Sequence, residues 1–283
     1  KKIKLLLCLF MLTTLCGCSN SNKNESSKTL NAAMFWISTS LDPTNNYDGW
    51  VLSRIGVGET LLKLNEKYEV EPYLAKSYEQ IDDTTWKLTL KDSITFSNGK
   101  KVTGENVKSC LERAFEKNTR AIDYFDLNHV EAKGQDIYLY LNKSSGAILN
   151  NLCEPLFTIY DASQSEEDIA NHPLCTGPFV VDDFVSEKTI DTSKNKKYYD
   201  GKAKLDHVHF SQVADSDARV LALQSGEVDL ANTIDYSSLK LFRNNKDYQV
   251  LEVLGPRTNV IYMNNETTFL SDLTIRKALS YSV

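Results

Sequence analysis

The stretch EPYLAKSYEQIDDTTWKLTLKDSITFSNGKKVTGENVKSCLERAF, Glu71 to Phe115, contains a change of hydrophobic period, and that change decides the fold class. In TTWKLTLKD, Trp86, Leu88 and Leu90 fall on one side of an extended chain, and Lys87, Thr89 and Lys91 fall on the other. This is the alternation of a half-buried strand. SNGK, Ser97 to Lys100, is a turn signal. Beyond it Thr103 is placed to cap a helix in which Val107, Cys110, Leu111, Ala114 and Phe115 recur at helical spacing. Strands and a turn feeding an amphipathic helix are the parts of a small mixed domain.

The same alternation of element types continues outward. LNAAMFWIS, from Leu30, is strand-like, and LDP at Leu41 to Pro43 breaks it, because a proline disfavours helix before itself. GVGETL, Gly56 to Leu61, lacks the third glycine of a dinucleotide fingerprint and reads instead as a helix-to-strand turn. DIYLYL at Asp136 and HVHFSQV at His207 are further strands. Asp215 or Ser216 caps a helix running to Gln224, which Gly226 closes. Thr176-Gly177-Pro178 is a backbone corner. Strands and helices are mixed throughout, so the class is α/β.

The first residues form a separate unit. Lys1, Lys2 and Lys4 precede an apolar run from Leu5 to Leu12, the pattern of a secretory signal. The run reaches Ser19 too soon for a bilayer-spanning helix, which needs about 20 apolar residues. LCGC, Leu15 to Cys18, resembles the lipobox of bacterial lipoproteins, which implies cleavage before Cys18 and lipid on its thiol. The polar string SNSNKNESSK that follows has nothing to bury and reads as a solvated tether over residues 18–29.

Composition describes an ordinary globular body behind that tether. The 283 residues are 41% hydrophobic, enough for a large core in one or two domains. A net charge of −6 leaves no electrostatic footprint for nucleic acid. Of six cysteines, Cys110, Cys153 and Cys175 remain once Cys8 and Cys16 leave with the signal and Cys18 is lipidated. Cys110 reads as a buried thiol on its helix face, and a Cys153–Cys175 disulfide stands open as an alternative to two free thiols.

Tests for chemistry favour a scaffold. His207 and His209 share one face of a strand and could begin a metal site, but sequence shows no third ligand nearby, and surface histidines are the competing reading. No nucleophile elbow, HExxH, P-loop or CxxC pair occurs in the body. An enzyme is unsupported, and no cofactor is expected.

Six blocks in order, SLDPT, GETLLKL, the Glu71–Phe115 stretch, LCTGPFVV, LALQSGEVDLA and DLTIRKALSYSV, resemble the peptide/nickel class of ABC-transporter substrate-binding proteins from about Leu30 to Val283. Cys175 stands where that pattern usually has glycine, and Phe179 where tyrosine is common. The resemblance implies a periplasmic-binding-protein-like type II fold, two-lobed with an inserted small mixed domain. Residues 30–57 plus 171–258 would form the first lobe, 58–170 the inserted domain, and 259–283 the start of a second lobe whose remainder lies outside this chain. RTNVIYMNN, from Arg257, would cross between lobes as a strand, and a helix would start at Asp272.

The same resemblance implies a monomeric lipoprotein anchored to the membrane on the extracytoplasmic side of a bacterium, Gram-positive by expectation. It would capture oligopeptides or dipeptides and deliver them to an ABC permease with its ATPase subunits. The alternative within the class is nickel or a metal chelate; a lipid-anchored hydrolase and an adhesin are more distant. The expected ligand-facing residues are Trp36, Ser38, Thr39, Tyr124, Arg257, Asn259 and Tyr262. For Trp36 and Tyr262 the competing role is core, and for Arg257 a solvated turn.

Overall fold

The computed structural model describes residues 27–253, 255 and 260–282. The signal segment, Cys18, most of the tether, Arg257 and Asn259 lie outside the described residues. The Glu71–Phe115 stretch folds as its periods dictate. Strands β4 (Ala75–Gln80) and β5 (Thr85–Leu90) pair antiparallel, and β5 continues onto β7 (Asp136–Leu141), itself flanked by β6 (Leu127–Lys133). Leu88 and Leu90 are fully buried, and Trp86 is partly buried against the same core.

Helix α2 (Gly104–Lys117), which follows α1 (Gly49–Arg54), packs on β6 and β7. Its first turn is closed by a reciprocal cap. The Asn106 backbone N–H donates to Thr103 Oγ1 at 3.4 Å, and the Thr103 N–H donates to Asn106 Oδ1 at 2.9 Å. Val107, Cys110, Leu111 and Ala114 form the buried stripe.

A second, five-stranded sheet has the order β11-β1-β10-β9-β8. It comprises β1 (Thr29–Met34), β8 (Phe179–Val185), β9 (Thr189–Lys194), β10 (His207–Gln212) and β11 (Leu230–Ala231). β1 runs parallel to β10, with Thr29 opposite His207 and Met34 opposite Gln212, and parallel to β11. The two larger sheets therefore draw on different segments, 29–34 with 179–231 for one and 75–141 for the other. A small hairpin, β2 (Leu62–Leu64) with β3 (Val70–Pro72), lies between them in sequence.

One continuous core joins these parts. It includes Met34, Val181 and Ile190 from the five-stranded sheet and Leu88, Ile137 and Leu139 from the four-stranded sheet. Tyr160, Phe96 and Phe157 are its largest fully buried side chains, and each apolar ring so placed contributes roughly 1.5–3 kcal/mol.

The corner at Thr176-Gly177-Pro178 is a close backbone crossing. Gly177 N–H donates to Val57 O at 3.0 Å, and Phe179 N–H donates to Gly56 O at 3.0 Å. A Cβ on Gly177 would sit 2.5 Å from Gly56 O, and Gly56 itself has φ +70, so both positions require glycine. Helix α6 (Ser216–Ser225), preceded in order by the short helices α3 (Ala121–Tyr124), α4 (Ile148–Asn151) and α5 (Glu166–Asn171), is capped by Asp215 and closed by left-handed Gly226.

Cys110, Cys153 and Cys175 are all free thiols, so the Cys153–Cys175 alternative is not realised. Cys153 Sγ is directed to Leu149 O at 3.4 Å, one turn back on its own chain, whereas Cys175 is buried. Burial pushes the Cys110 thiol up to about 12, which makes it a packing group with little thiolate character.

The chain divides between Asp235 and Tyr236. In the second unit a 3₁₀ segment, Tyr236–Leu241, leads to Phe242, whose ring meets Tyr248 edge-on at 4.9 Å. Helix α7 (Leu273–Tyr281) starts as expected, with Thr274 N–H donating to Asp272 Oδ1 at 2.7 Å. The strand expected from Arg257 does not form over Val260–Asn264. A strand is held by ladder bonds to a neighbour, and none of the described residues pairs with this segment.

Candidate ligand-binding surface

The loop after β1 is tied down at several points before it reaches α1. Phe35 N–H donates to Asn232 Oδ1 at 3.0 Å, Ile37 N–H to Gln212 Oε1 at 2.6 Å and Leu41 N–H to Ala170 O at 2.7 Å. Its centre is clamped by Arg113, which α2 projects from the face opposite solvent. Nη1 and Nη2 donate to the two carboxylate oxygens of Asp42 at 2.9 and 2.7 Å. The same guanidinium donates to Thr44 Oγ1 at 2.7 Å, to the Tyr160 hydroxyl at 2.8 Å and to Glu166 Oε2 at 2.5 Å. Burial works to raise the Asp42 pKa, but the hydrogen bonds from Arg113 and Thr44 outweigh it and hold the carboxyl below its usual value.

This clamp presents an aromatic and cationic surface built from three segments. From the loop comes Tyr47, 54% exposed, and from the first turn of α1 that follows it Trp50, 37% exposed. From the start of α3 and its last residue come Arg120 and Tyr124, and from the segment after α4 comes Glu154. The Arg120 guanidinium stacks on the Tyr47 ring at 3.6 Å, donates from Nη1 to Asn46 O at 2.9 Å and from Nη2 to the Tyr124 hydroxyl at 2.6 Å. Trp50 Nε1–H donates to Glu154 Oε1 at 2.9 Å. Arg54 lies over both Phe35 and Trp50, at 5.5 and 5.4 Å.

Tyr124 links the surface to the core. Its ring meets Phe157 edge-on at 5.7 Å, and its backbone carbonyl accepts from the Asn151 amide. Burial pushes its hydroxyl up to about 12, with the negative charge of Glu154 adding to the rise and Arg120 opposing it. Among the described residues neither Arg120 nor Glu154 takes part in an ion pair. Chemically, the surface offers flat aromatic faces, a guanidinium with donors to spare and a carboxylate, the equipment for a small polar ligand that carries charge.

A cavity of about 340 Å³ adjoins it, with Trp50 in its wall beside Lys63, Tyr73, Glu59 and Thr158. Glu59 is buried there and accepts from Thr176 Oγ1 at 2.7 Å and from the Tyr198 hydroxyl at 3.0 Å.

Of the residues singled out from sequence, Tyr124 stands on this surface. Trp36 is partly buried and packs against the main core. Ser38 is buried with its hydroxyl donating to Ser40 O, and Thr39 is exposed, its carbonyl accepting from Ser186 Oγ at 3.1 Å. Tyr262 belongs to the second unit and is 92% exposed. Tyr47, Trp50, Arg120 and Glu154 were not anticipated. The visible signal was two aromatics closely following the SLDPT block and an arginine four residues before Tyr124.

His209 Nδ1 lies 2.7 Å from Asp191 Oδ1, its register partner on β9, and His207 is exposed. Among the described residues no group of three or more His, Cys, Asp or Glu side chains is arranged to hold a metal ion. No helix among the described residues is long and apolar enough to cross a membrane.

Residues 69–283 match the family model for bacterial extracellular solute-binding proteins, family 5 middle. The chain belongs to that family. The nickel-binding protein NikA of Staphylococcus aureus is 32% identical over the whole chain, which corresponds to 56% of that relative. The glutathione-binding protein GsiB of Escherichia coli is 27% identical over 79% of the chain and 45% of its own length. Among solved structures, NikA from Staphylococcus aureus in complex with Ni(L-His)2 superposes with a TM-score of 0.73 at 33% identity, covering 78% of this chain and 46% of that one. This family-5 chain thus spans about half the length of the curated relatives it matches. Its architecture is the mixed α/β one of type II periplasmic binding proteins.

Proposed function

We propose that this family-5 protein is the substrate-binding component of an ABC importer and that its ligand is a small nickel chelate. The observation that carries the ligand reading is Arg120, a guanidinium stacked on Tyr47 and without a carboxylate partner among the described residues, in a chain 32% identical to a nickel-binding relative. A chelate brings its own metal ligands, so it needs from the protein aromatic walls and a counter-charge for its carboxylates; the Tyr47–Trp50–Tyr124 surface with Arg120 has that composition. Peptide, the first expectation from sequence, is retained as the second reading because a glutathione-binding relative matches at 27% identity.

In this reading residues 30–57 with 171–258 form a first lobe, 58–170 an inserted domain, and a facing lobe begins at residue 259. Ligand contacting both lobes shifts the population to a closed form, which docks on the permease. Cys18 carries the lipid that holds the monomer at the extracytoplasmic membrane face.

Calorimetry on the protein at the full length of its relatives, stripped of ligand, tests this against Ni²⁺ alone, Ni²⁺ with L-histidine, and peptide pools. Micromolar binding of the histidine chelate with no response to peptides supports the nickel reading. A response to peptides alone transfers the assignment to peptide transport.

A further inference from the structure

The loop between β9 and β10 is held at both ends and left open between them. At its start the Asn195 side-chain amide donates to Gly177 O at 2.8 Å, and the Tyr198 hydroxyl donates to Glu59 Oε1 at 3.0 Å. At its end Asp206 N–H donates to Lys28 O at 2.8 Å, and Lys28 N–H donates back to Asp206 Oδ2 at 2.9 Å. Lys28 immediately precedes β1, so the loop lies beside the point where the chain arrives from Cys18, ten residues earlier. Loop and entry point together carry six lysines, Lys28, Lys194, Lys196, Lys197, Lys202 and Lys204, against Asp200 and Asp206, in a chain whose net charge is −6. All six lysines are exposed. Lys194 is neutralised by Asp206, and Lys197 Nζ donates to Asn98 O at 2.6 Å, which brings the turn bearing exposed Lys101 alongside. Among the described residues Lys28, Lys101, Lys196, Lys202 and Lys204 take part in no ion pair.

A run of charge is ordinarily a solvated face, but two observations set this one apart. Its sign is opposite to that of the chain as a whole, and its frame is fastened to the residue at which the body begins. We propose that this lysine face is a docking surface for anionic lipid headgroups, which seats the β1-entry end of the five-stranded sheet against the membrane. The nearness of that membrane rests on the reading of Cys18 as the lipid anchor. Ten residues reach at most about 36 Å, so an anchored body holds its lysines at high effective concentration over the bilayer. Ammonium groups are compact point charges and meet headgroup phosphates without demanding a fixed geometry, which suits a laterally fluid partner. The attraction acts only within about a Debye length, roughly 8 Å at physiological salt, so it is felt by the face at the chain's entry and not by the acidic remainder. The lipid holds the protein at the membrane, and the lysine face sets which end of the sheet points toward it.

The test is cosedimentation with vesicles of phosphatidylcholine alone or of phosphatidylcholine with an equal part of phosphatidylglycerol. The protein has the full length of its relatives but starts at Ser19, so neither the signal segment nor lipid contributes. Each lysine at an anionic surface is worth about fivefold in affinity, and three together roughly a hundredfold. Wild type is expected to bind the anionic vesicles at least about a hundredfold more strongly than the neutral ones, and to lose that preference in about 0.5 M salt. Lys196→Gln/Lys202→Gln/Lys204→Gln, whose side chains have no ion-pair partner to lose, should abolish most of the preference, with a thermal melt verifying the fold. Lys67→Gln/Lys133→Gln/Lys143→Gln removes the same charge from the 58–170 segment and should change binding by less than about threefold. The inference is overturned if wild type shows no preference, if the loop variant stays within about twofold of wild type, or if both triple variants lose equally, which would make net charge the cause. Equal affinity for poly(glycerol phosphate) in solution would likewise overturn it in favour of a soluble polyanion. Labelling of Cys18 with palmitate tests the anchor separately, so failure of either reading is told from failure of the other.

Discussion

Replacing Arg113 by methionine isolates the clamp that shapes the loop between β1 and α1. The Arg113 and Asp42 side chains are only 10% and 12% exposed, and two charge-assisted bonds join them at 2.9 and 2.7 Å. Methionine fills similar apolar volume, so the loss is mainly an uncompensated buried carboxylate, with the Tyr160 hydroxyl losing a partner as well. Breaking one side of such a pair costs about 3–5 kcal/mol, and the surviving bonds from Thr44 to Asp42 at 2.9 and 2.7 Å place the value near the lower end. Glu166, 66% exposed, adds little, so Glu166→Gln should cost no more than about 1 kcal/mol.

Two further measurements make that expectation specific. In the wild type the Asp42 pKa is depressed, so its stabilisation is present above the unfolded value and disappears as pH falls through the folded one. In Arg113→Met the burial that works against the charged form is left with less opposition, and the sign reverses: Asp42 then destabilises increasingly as pH rises through its folded value. Urea unfolding should therefore show a smaller deficit at pH 4 than at pH 7. The double variant Asp42→Asn/Arg113→Met should recover at least about 1 kcal/mol relative to the sum of the singles, since the two groups are coupled. A deficit below about 1 kcal/mol at pH 7, or strict additivity, would refute the clamp as the source of the loop's order.

Gly177→Ala should cost about 2–3 kcal/mol in the same unfolding assay, because the new Cβ meets the Gly56 carbonyl oxygen at 2.5 Å and backbone must move; a loss under 0.5 kcal/mol, in the range of an ordinary surface change, would contradict the crossing. Asp48, buried in the loop between Tyr47 and Trp50, titrates at about 6, raised first by burial and further by Asp42. A raised carboxyl contributes stability below its unfolded pKa and loses it as pH rises through 6, so melting temperature should fall between pH 5 and 7, and Asp48→Asn should flatten that slope. Cys18→Ala should abolish incorporation of labelled palmitate and membrane retention in a bacterial host, and retention of the variant would remove the lipid anchor.

The sequence by itself determined the elements whose signals lie in consecutive residues. The period-2 run around Trp86, the Thr103 cap with the stripe Val107, Cys110, Leu111 and Ala114, and the Asp215-to-Gly226 helix are all formed as read. The order of six such blocks also carried the family, which the match over residues 69–283 establishes. Local periodicity fails where an element depends on a partner: Val260–Asn264 has the composition of a strand, yet a strand exists only when another supplies its ladder. The candidate surface was beyond reach for a related reason. Tyr47, Arg120 and Glu154 lie far apart in sequence, and no spacing rule predicts that Arg120 will stack on Tyr47 at 3.6 Å while Trp50 turns its N–H to Glu154. Nor does composition distinguish Arg113 from Arg120. One is neutralised by Asp42 and one is left with donors to spare, and only the packing of α2 against the loop decides which arginine holds the fold and which lies on the aromatic surface.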